Sequence, residues 1–191
     1  MVTPYKCILV GDAAVGKTTW ITRLQTGEFS KKYIATLGVG VKPLDFSTTT
    51  GDVVFNVWDC AGEREGYWTN ADCAIVMYDC TSTITKESVP FWIQRVKEVC
   101  GPNIPIVVAA NKVDLERCKF CLTKVKEADF QYSISARSCY NLEKPFLFLA
   151  RKLQKDINLK FVMGPPITPP EVVVTEEALA EALRQEGIAA L

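Results

Sequence analysis

Apolar residues along this chain gather in short continuous runs at 7–10, 53–58, 74–78 and 106–110, each ending near Gly, Asp or Asn. Runs of that length without polar alternation predict strands of a sheet covered on both faces. The segments 39–46 and 53–58, separated by Ser47-Thr48-Thr49-Thr50-Gly51-Asp52, predict two strands joined by a turn, an antiparallel edge pair. A further short strand is expected at 131–134. Helical patterns lie between the others, at 17–25, 86–100 and 142–155. In the last of these, Phe146, Leu149 and Leu153 recur at three- and four-residue spacing, an apolar stripe that faces a core. Phe146, Phe148 and Trp92 read as core packing. Strand and helix alternate without any internal repeat, which predicts an α/β domain with a six-stranded, mostly parallel sheet and helices on both faces.

The pattern changes after Phe161. Four of the ten prolines fall in Met163-Gly164-Pro165-Pro166-Ile167-Thr168-Pro169-Pro170, which excludes a helix or a central strand there. Beyond it, 175–183 predicts a helix with Thr175 as N-cap, glutamates in its first turn, and Gly187 placed to stop it. A lone helix this short is marginal in water and must dock or fray. The expected organisation is a domain over 1–161 and a detachable linker and helix over 162–191.

Composition narrows the chemistry. The 191 residues carry 22 Lys plus Arg against 22 Asp plus Glu, a formal net charge of +0, which argues against a broad nucleic-acid-binding face. Lys119, Lys124 and Lys126 read as a solvated charged face. Histidine is absent, so Ser-His-Asp and Cys-His nucleophiles and His metal sites are excluded. The eight cysteines include Cys7 and Cys73 inside apolar runs, which suits buried thiols better than disulfides. Cys118 and Cys121 form a CxxC without a second pair to complete a zinc site. No apolar run approaches the roughly 18 residues of a membrane span. No signal peptide precedes the first strand, residue 2 is Val, and the last four residues lack Cys, so no lipid anchor is expected.

Gly11-Asp12-Ala13-Ala14-Val15-Gly16-Lys17-Thr18 follows a predicted strand and opens a predicted helix, fitting GxxxxGK[ST] in its required context. Glycines let the backbone close around phosphate oxygens, the helix N-terminus faces the anion, Lys17 adds a charge, and the Thr18 hydroxyl ligates Mg²⁺. A glycine turn that merely joins strand to helix is the plain alternative. Three further elements, each just after a predicted strand, weigh against it. Asn111-Lys112-Val113-Asp114 follows 106–110, and a carboxylate at Asp114 accepts both N–H donors of guanine's pairing edge. Ser135-Ala136-Arg137 offers the Ala136 N–H to the guanine carbonyl oxygen. Asp59-Cys60-Ala61-Gly62 holds Mg²⁺ through water at Asp59 and offers the Gly62 N–H to a γ-phosphate.

On these four motifs the sequence resembles the small GTPases of the Ras superfamily. Within them it is similar to the Ran branch, which serves nuclear transport. The words that carry this are Thr26-Gly27-Glu28-Phe29, Lys31-Lys32-Tyr33-Ile34-Ala35-Thr36-Leu37-Gly38-Val39, Phe55-Asn56-Val57-Trp58-Asp59, Asn141-Leu142-Glu143-Lys144-Pro145-Phe146 and Pro169-Pro170-Glu171-Val172-Val173. The resemblance implies a monomeric GTP/GDP switch with Mg²⁺, in which Thr19 and the first-switch residues Ser30, Lys31, Lys32, Tyr33, Ile34, Ala35 and Thr36 join the nucleotide site. Thr36 would touch Mg²⁺ and the γ-phosphate, and the C-terminal helix would dock with GDP and leave with GTP. Implied partners are importin- and exportin-type transport receptors, an exchange factor and a GTPase-activating protein, in nucleus and cytoplasm, with no direct nucleic-acid contact.

Departures from the family pattern bear on turnover. Glu63 stands where the family places a water-orienting Gln, so of the residues implied in catalysis, Lys17, Thr36 and position 63, one is altered. Ala13 replaces a Gly in the phosphate loop, and the segment 63–72 is shorter than in the Ran branch. Weakened hydrolysis is the expectation. The acidic end of the Ran branch is missing, so engagement of Ran-binding domains is not expected. The alternative function is a GTP-loaded module that occupies transport receptors without cycling. A P-loop nucleotide kinase is more distant, since Asn111-Lys112-Val113-Asp114 argues against it.

Overall fold

The computed structural model describes residues 2–30, 34–36, 38–60, 65–115 and 125–162. Six strands, β1 (Thr3–Val10), β2 (Val39–Thr48), β3 (Gly51–Cys60), β4 (Cys73–Asp79), β5 (Ile106–Asn111) and β6 (Phe130–Ser133), form one sheet in the order β2-β3-β1-β4-β5-β6. Every pairing is parallel except β2 with β3. The expected fold is the observed one. The strand pair at the edge turns more tightly than the sequence suggests, because β2 continues to Thr48 and β3 begins at Gly51. Strand β1 likewise starts four residues earlier than its apolar run, since Thr3–Lys6 align beside Val53–Asn56 of β3.

Side chains alternate across the sheet with period two and build two cores. Cys7 and Leu9 of β1 join α1 (Lys17–Thr26) and α4 (Lys144–Gln154) on one face. Ile8 and Val10 join α3 (Val89–Cys100) on the other. Phe146 of α4, fully buried, lies 5.2 Å from the Trp20 ring, 5.3 Å from Phe55 and 5.5 Å from Phe46. Phe146→Ala leaves a hole between three rings and is expected to cost about 3–5 kcal/mol. The stripe on α4 is as expected, with Phe146 and Leu149 buried and Leu153 half-buried.

The single helix expected over 86–100 is two. Helix α2 (Thr83–Glu87) ends at Ser88, and α3 restarts at Val89. Pro90 lies in the first turn of α3 and has no N–H to continue the ladder from α2. The Ser88 hydroxyl instead donates to the Ile84 carbonyl at 3.0 Å. At the end of the described residues, Phe161 stacks on Phe46 at 4.4 Å and the Val162 N–H donates to the Ser47 carbonyl at 2.7 Å, tying this segment to the β2–β3 hairpin. The proline-rich linker and the helix expected over 175–183 lie outside the described residues, as do Cys118 and Cys121. Cys7, Cys60, Cys73 and Cys80 are buried, Cys100 and Cys139 are half-buried, and none of these six is in a disulfide.

Candidate functional site

The parallel strands β1, β3, β4 and β5 end on one edge of the sheet, where ligands bind in open α/β folds. From β1 the chain enters a loop that only small residues can make. Gly11 has φ +136°, and a Cβ there would lie 2.1 Å from the Met77 carbonyl oxygen. Ala14 sits at φ 61° and Gly16 at +102°, where a Cβ would lie 2.5 Å from Asn111 Nδ2. Gly16 caps α1 with no side chain covering the helix N-terminus and no acidic residue in the first turn. That end is left open to an anion. Lys17 reaches back so that Nζ donates to the Gly11 and Asp12 carbonyls, each at 2.7 Å. Burial pushes its pKa down, against the pull of Asp59 and Asp12, so the ammonium is short of solvation and suited to an anionic ligand.

Beside it, three oxygens converge. The Thr18 hydroxyl donates to Asp59 Oδ2 at 2.5 Å and lies 2.7 Å from the Thr36 hydroxyl. Asp59 is buried and its Oδ1 has no hydrogen-bond partner. A cavity of about 340 Å³ opens here, walled by Ala13, Ala14, Gly16, Lys17, Thr18 and Thr19 on one side and by Ser30, Ile34, Ala35, Thr36 and Cys60 on the other. Thr22 and Glu28 complete the wall, two residues that the motifs did not single out.

The second half of the site hangs on β5. Asn111 is buried and donates from Nδ2 to the Val15 carbonyl at 2.9 Å, while its Oδ1 accepts the Ala136 N–H at 3.2 Å. One amide thus joins the phosphate loop to the Ser135–Arg137 turn. The Ala136 N–H, expected to face a ligand oxygen, is occupied by Asn111 in this state. Lys112, at φ 69°, is a strut: Nζ donates to the Ala14 carbonyl at 2.9 Å and to Asp79 Oδ2 at 2.6 Å. Burial raises the Asp79 pKa, but hydrogen bonds from Lys112 and Thr81 outweigh it and leave the carboxyl below its ordinary value. Cys80 follows Asp79, and burial, then Asp79 and Asp114, push its pKa up to about 12, so it stays a thiol.

The Asp114 side chain is only 3% exposed. Its Oδ1 accepts the Ser135 hydroxyl at 2.6 Å, and Arg137 NH1 lies 3.8 Å from Oδ2. Ser135 is itself fully buried and its Oγ accepts the Ser138 N–H at 2.9 Å. Thus Asp12 to Thr19, Asp59, Asn111, Lys112, Asp114 and Ser135 to Arg137 assemble along one edge. Lys31, Lys32, Tyr33, Gly62 and Glu63 lie outside the described residues. Trp92, read from sequence as core packing, donates its indole N–H to Asp12 Oδ1 at 2.8 Å.

The sequence profile of the Ras family matches residues 6–155, which span nearly all of this sheet and its helices. The chain belongs to the Ras family. It is therefore a small GTPase with a P-loop, a GTP-binding switch in general terms. Ras-family GTPases bind GTP and GDP, generally with Mg²⁺, and the residues here suit that ion. Thr18, Thr36 and Asp59 supply only oxygen donors, and Asp59 Oδ1 is buried without a partner, a set that fits a small hard cation. Among the described residues no cluster of three or more Cys, Asp or Glu offers a competing metal site. Nor, among them, is any helix of this Ras-family domain long and apolar enough to cross a membrane.

Proposed function

We propose that this Ras-family chain is a guanine-nucleotide switch of the Ran type, binding GTP and GDP with Mg²⁺ and acting on importin- and exportin-type transport receptors between nucleus and cytoplasm. The observation that carries the nucleotide reading is the joining of two half-sites by Asn111. The buried Asp114 carboxylate lies on one side of it, and the Lys17, Thr18 and Asp59 cluster on the other. Asp114 accepts the two N–H groups of guanine's pairing edge, and Ser135 and Arg137 hold it for that role. Adenine lacks the pair and leaves a buried carboxylate unmatched, which is costly. The Ala136 N–H meets the base oxygen after exchanging or sharing its bond to Asn111.

Lys17 and the open N-terminus of α1 receive the phosphates, with Ala13, Ala14, Gly16, Thr18 and Thr19 providing the wall. The Thr18 and Thr36 hydroxyls, with Asp59 acting through water, would hold Mg²⁺, which would supply positive charge to the phosphates. In hydrolysis the oxygen of a water bonds to the γ-phosphorus and the bond to the bridging oxygen breaks. That electron pair leaves with GDP, and the proton of the water ends on phosphate. Ile34, Ala35 and Thr36 form part of the cavity wall, with the Thr36 hydroxyl beside that of Thr18.

The Ran-type partners rest on the sequence words that end with Pro169-Pro170-Glu171-Val172-Val173. They are tested by receptor capture with each nucleotide: retention of GTP-loaded chain over GDP-loaded chain supports the reading, and equal or absent retention refutes it. A second reading, a GTP-loaded module that does not cycle, is favoured by two residues. Glu63 replaces a group that both donates and accepts with one that only accepts. Its charge opposes a close phosphate charge by about 4 kcal/mol at 4 Å and an effective dielectric near 20. Ala13 also places a methyl in the cavity wall. Single-turnover hydrolysis, with and without a GTPase-activating protein of the Ran type, separates the two readings. Slow intrinsic turnover that rises about 10-fold in Glu63→Gln, and further with Ala13→Gly, fits the electrostatic account. Rates that stay flat across both variants assign the defect to the shortened segment after Gly62 instead.

A further inference from the structure

A phosphate loop exists to receive a polyanion, yet this one carries a carboxylate at Asp12. The side chain does not wall the cavity, which Ala13 and Ala14 do. It turns instead to α3, where the Trp92 indole N–H donates to Oδ1 at 2.8 Å. The same residue's backbone carbonyl accepts Lys17 Nζ at 2.7 Å, so Asp12 shows its carbonyl to the phosphate-binding lysine and its charge to the helix behind. Trp92 is 5% exposed and its ring is braced by Phe91 at 5.6 Å, edge-on, and by Trp68 at 6.3 Å. Trp68 is fully buried, and its carbonyl accepts the Cys100 thiol at 3.3 Å, which fixes that brace to the end of α3. Rings held on two sides aim the indole N–H at one place.

We propose that Trp92 is a positioning residue of the nucleotide site: its indole N–H holds the Asp12 carboxylate away from the bound phosphates. The proposal rests on the guanine-nucleotide reading above and deepens it. Without that bond the carboxylate also samples rotamers nearer the ligand oxygens, where like charge raises the energy of the bound state, and more for a triphosphate than for a diphosphate. The indole N–H groups of the buried Trp20 and Trp68 have no hydrogen-bond partner, whereas that of Trp92 reaches the ligand loop.

The test is a double-mutant cycle on the full chain, read as release of fluorescent GDP and of a fluorescent non-hydrolysable GTP analogue. Trp92→Phe keeps an aromatic ring against Trp68 and removes only the donor. We expect it to speed release about 10-fold, the scale of one hydrogen bond to a charged group, and to affect the triphosphate more. In combination with Asp12→Asn, which removes the charge to be restrained, Trp92→Phe should change release by less than about 2-fold. An equal effect of Trp92→Phe with and without Asp12→Asn shows that the indole merely packs α3 and overturns the proposal. So does no effect of Trp92→Phe alone. Failure of the unaltered chain to bind either guanine nucleotide overturns the underlying reading, and is distinguished by that failure from the two results above.

Discussion

Gly16→Ala tests the joint on which both half-sites depend. The added Cβ would lie 2.5 Å from Asn111 Nδ2 and 3.8 Å from its Cγ, at a backbone φ of +102° that an L-residue resists. A methyl on the main chain cannot withdraw, so the Asn111 amide must. That movement breaks the 2.9 Å bond to the Val15 carbonyl and leaves a buried acceptor unpaired, about 1–3 kcal/mol. Backbone strain adds about 1–2 kcal/mol, for a total of about 2–5 kcal/mol. Asn111→Ala removes the bonds to Val15 and Ala136 together and costs about 2–6 kcal/mol by the same reckoning. The two changes are not independent. With the amide gone the methyl meets nothing, and Gly16→Ala adds only its strain. The double variant should therefore be about 1–3 kcal/mol more stable than the sum of the singles predicts. Urea unfolding of the nucleotide-free chain measures this, because bound ligand would add to apparent stability by an amount that each variant's own affinity alters. Additivity within about 0.5 kcal/mol would refute the contact.

Lys17→Ala is expected to weaken GDP, GTP and ATP alike, by about 2 kcal/mol or more in calorimetric titration, since the contact proposed for it is to phosphate and not to base. The same change should cost the ligand-free fold less, because burial already pushes the Lys17 pKa down. For Asp79 the folded pKa lies below the ordinary 3.8, so its ion pair with Lys112 stabilises above that value and is lost as pH falls through the folded value. Asp79→Asn should accordingly lower stability near neutral pH and close the gap to the unaltered chain in acid below about pH 3.8, as followed by thermal unfolding. A gap that persists unchanged in acid would show that the pair contributes no charge-dependent stability.

Much of this architecture is readable from the chain because its strands are buried on both faces. The run at 74–78 is apolar without alternation, and β4 (Cys73–Asp79) is buried at every position but the last. The parallel direction of β4 and β5 follows from the helical segment placed between them. Boundaries were less legible where partners, not composition, decide them: Thr3–Lys6 are strand because β3 lies alongside. The split of one helical pattern into α2 and α3 was signalled by Pro90, which also suits a first helical turn, so the residue alone does not distinguish a start from a continuation. In the site, the structure places Lys17, Thr18, Asp59, Asn111 and Asp114 along one edge of the sheet. Sequence could not show that Lys112 would brace Ala14 and Asp79, nor that Asn111 would occupy the Ala136 N–H. Those are contacts between segments distant in the chain. Trp92 was legible only as a large apolar side chain, and the polar end of its indole is what carries the new contact.

The claim that Asp114 selects guanine is tested most directly by competitive binding of GTP and ATP to the unaltered chain and to Asp114→Asn. The buried carboxylate should favour GTP over ATP by at least about 100-fold in the unaltered chain, since a site built for two N–H donors rejects a base that lacks them. Asp114→Asn should weaken GTP by about 1–3 kcal/mol while leaving ATP where it was. Equal affinity of the unaltered chain for GTP and ATP would contradict the account.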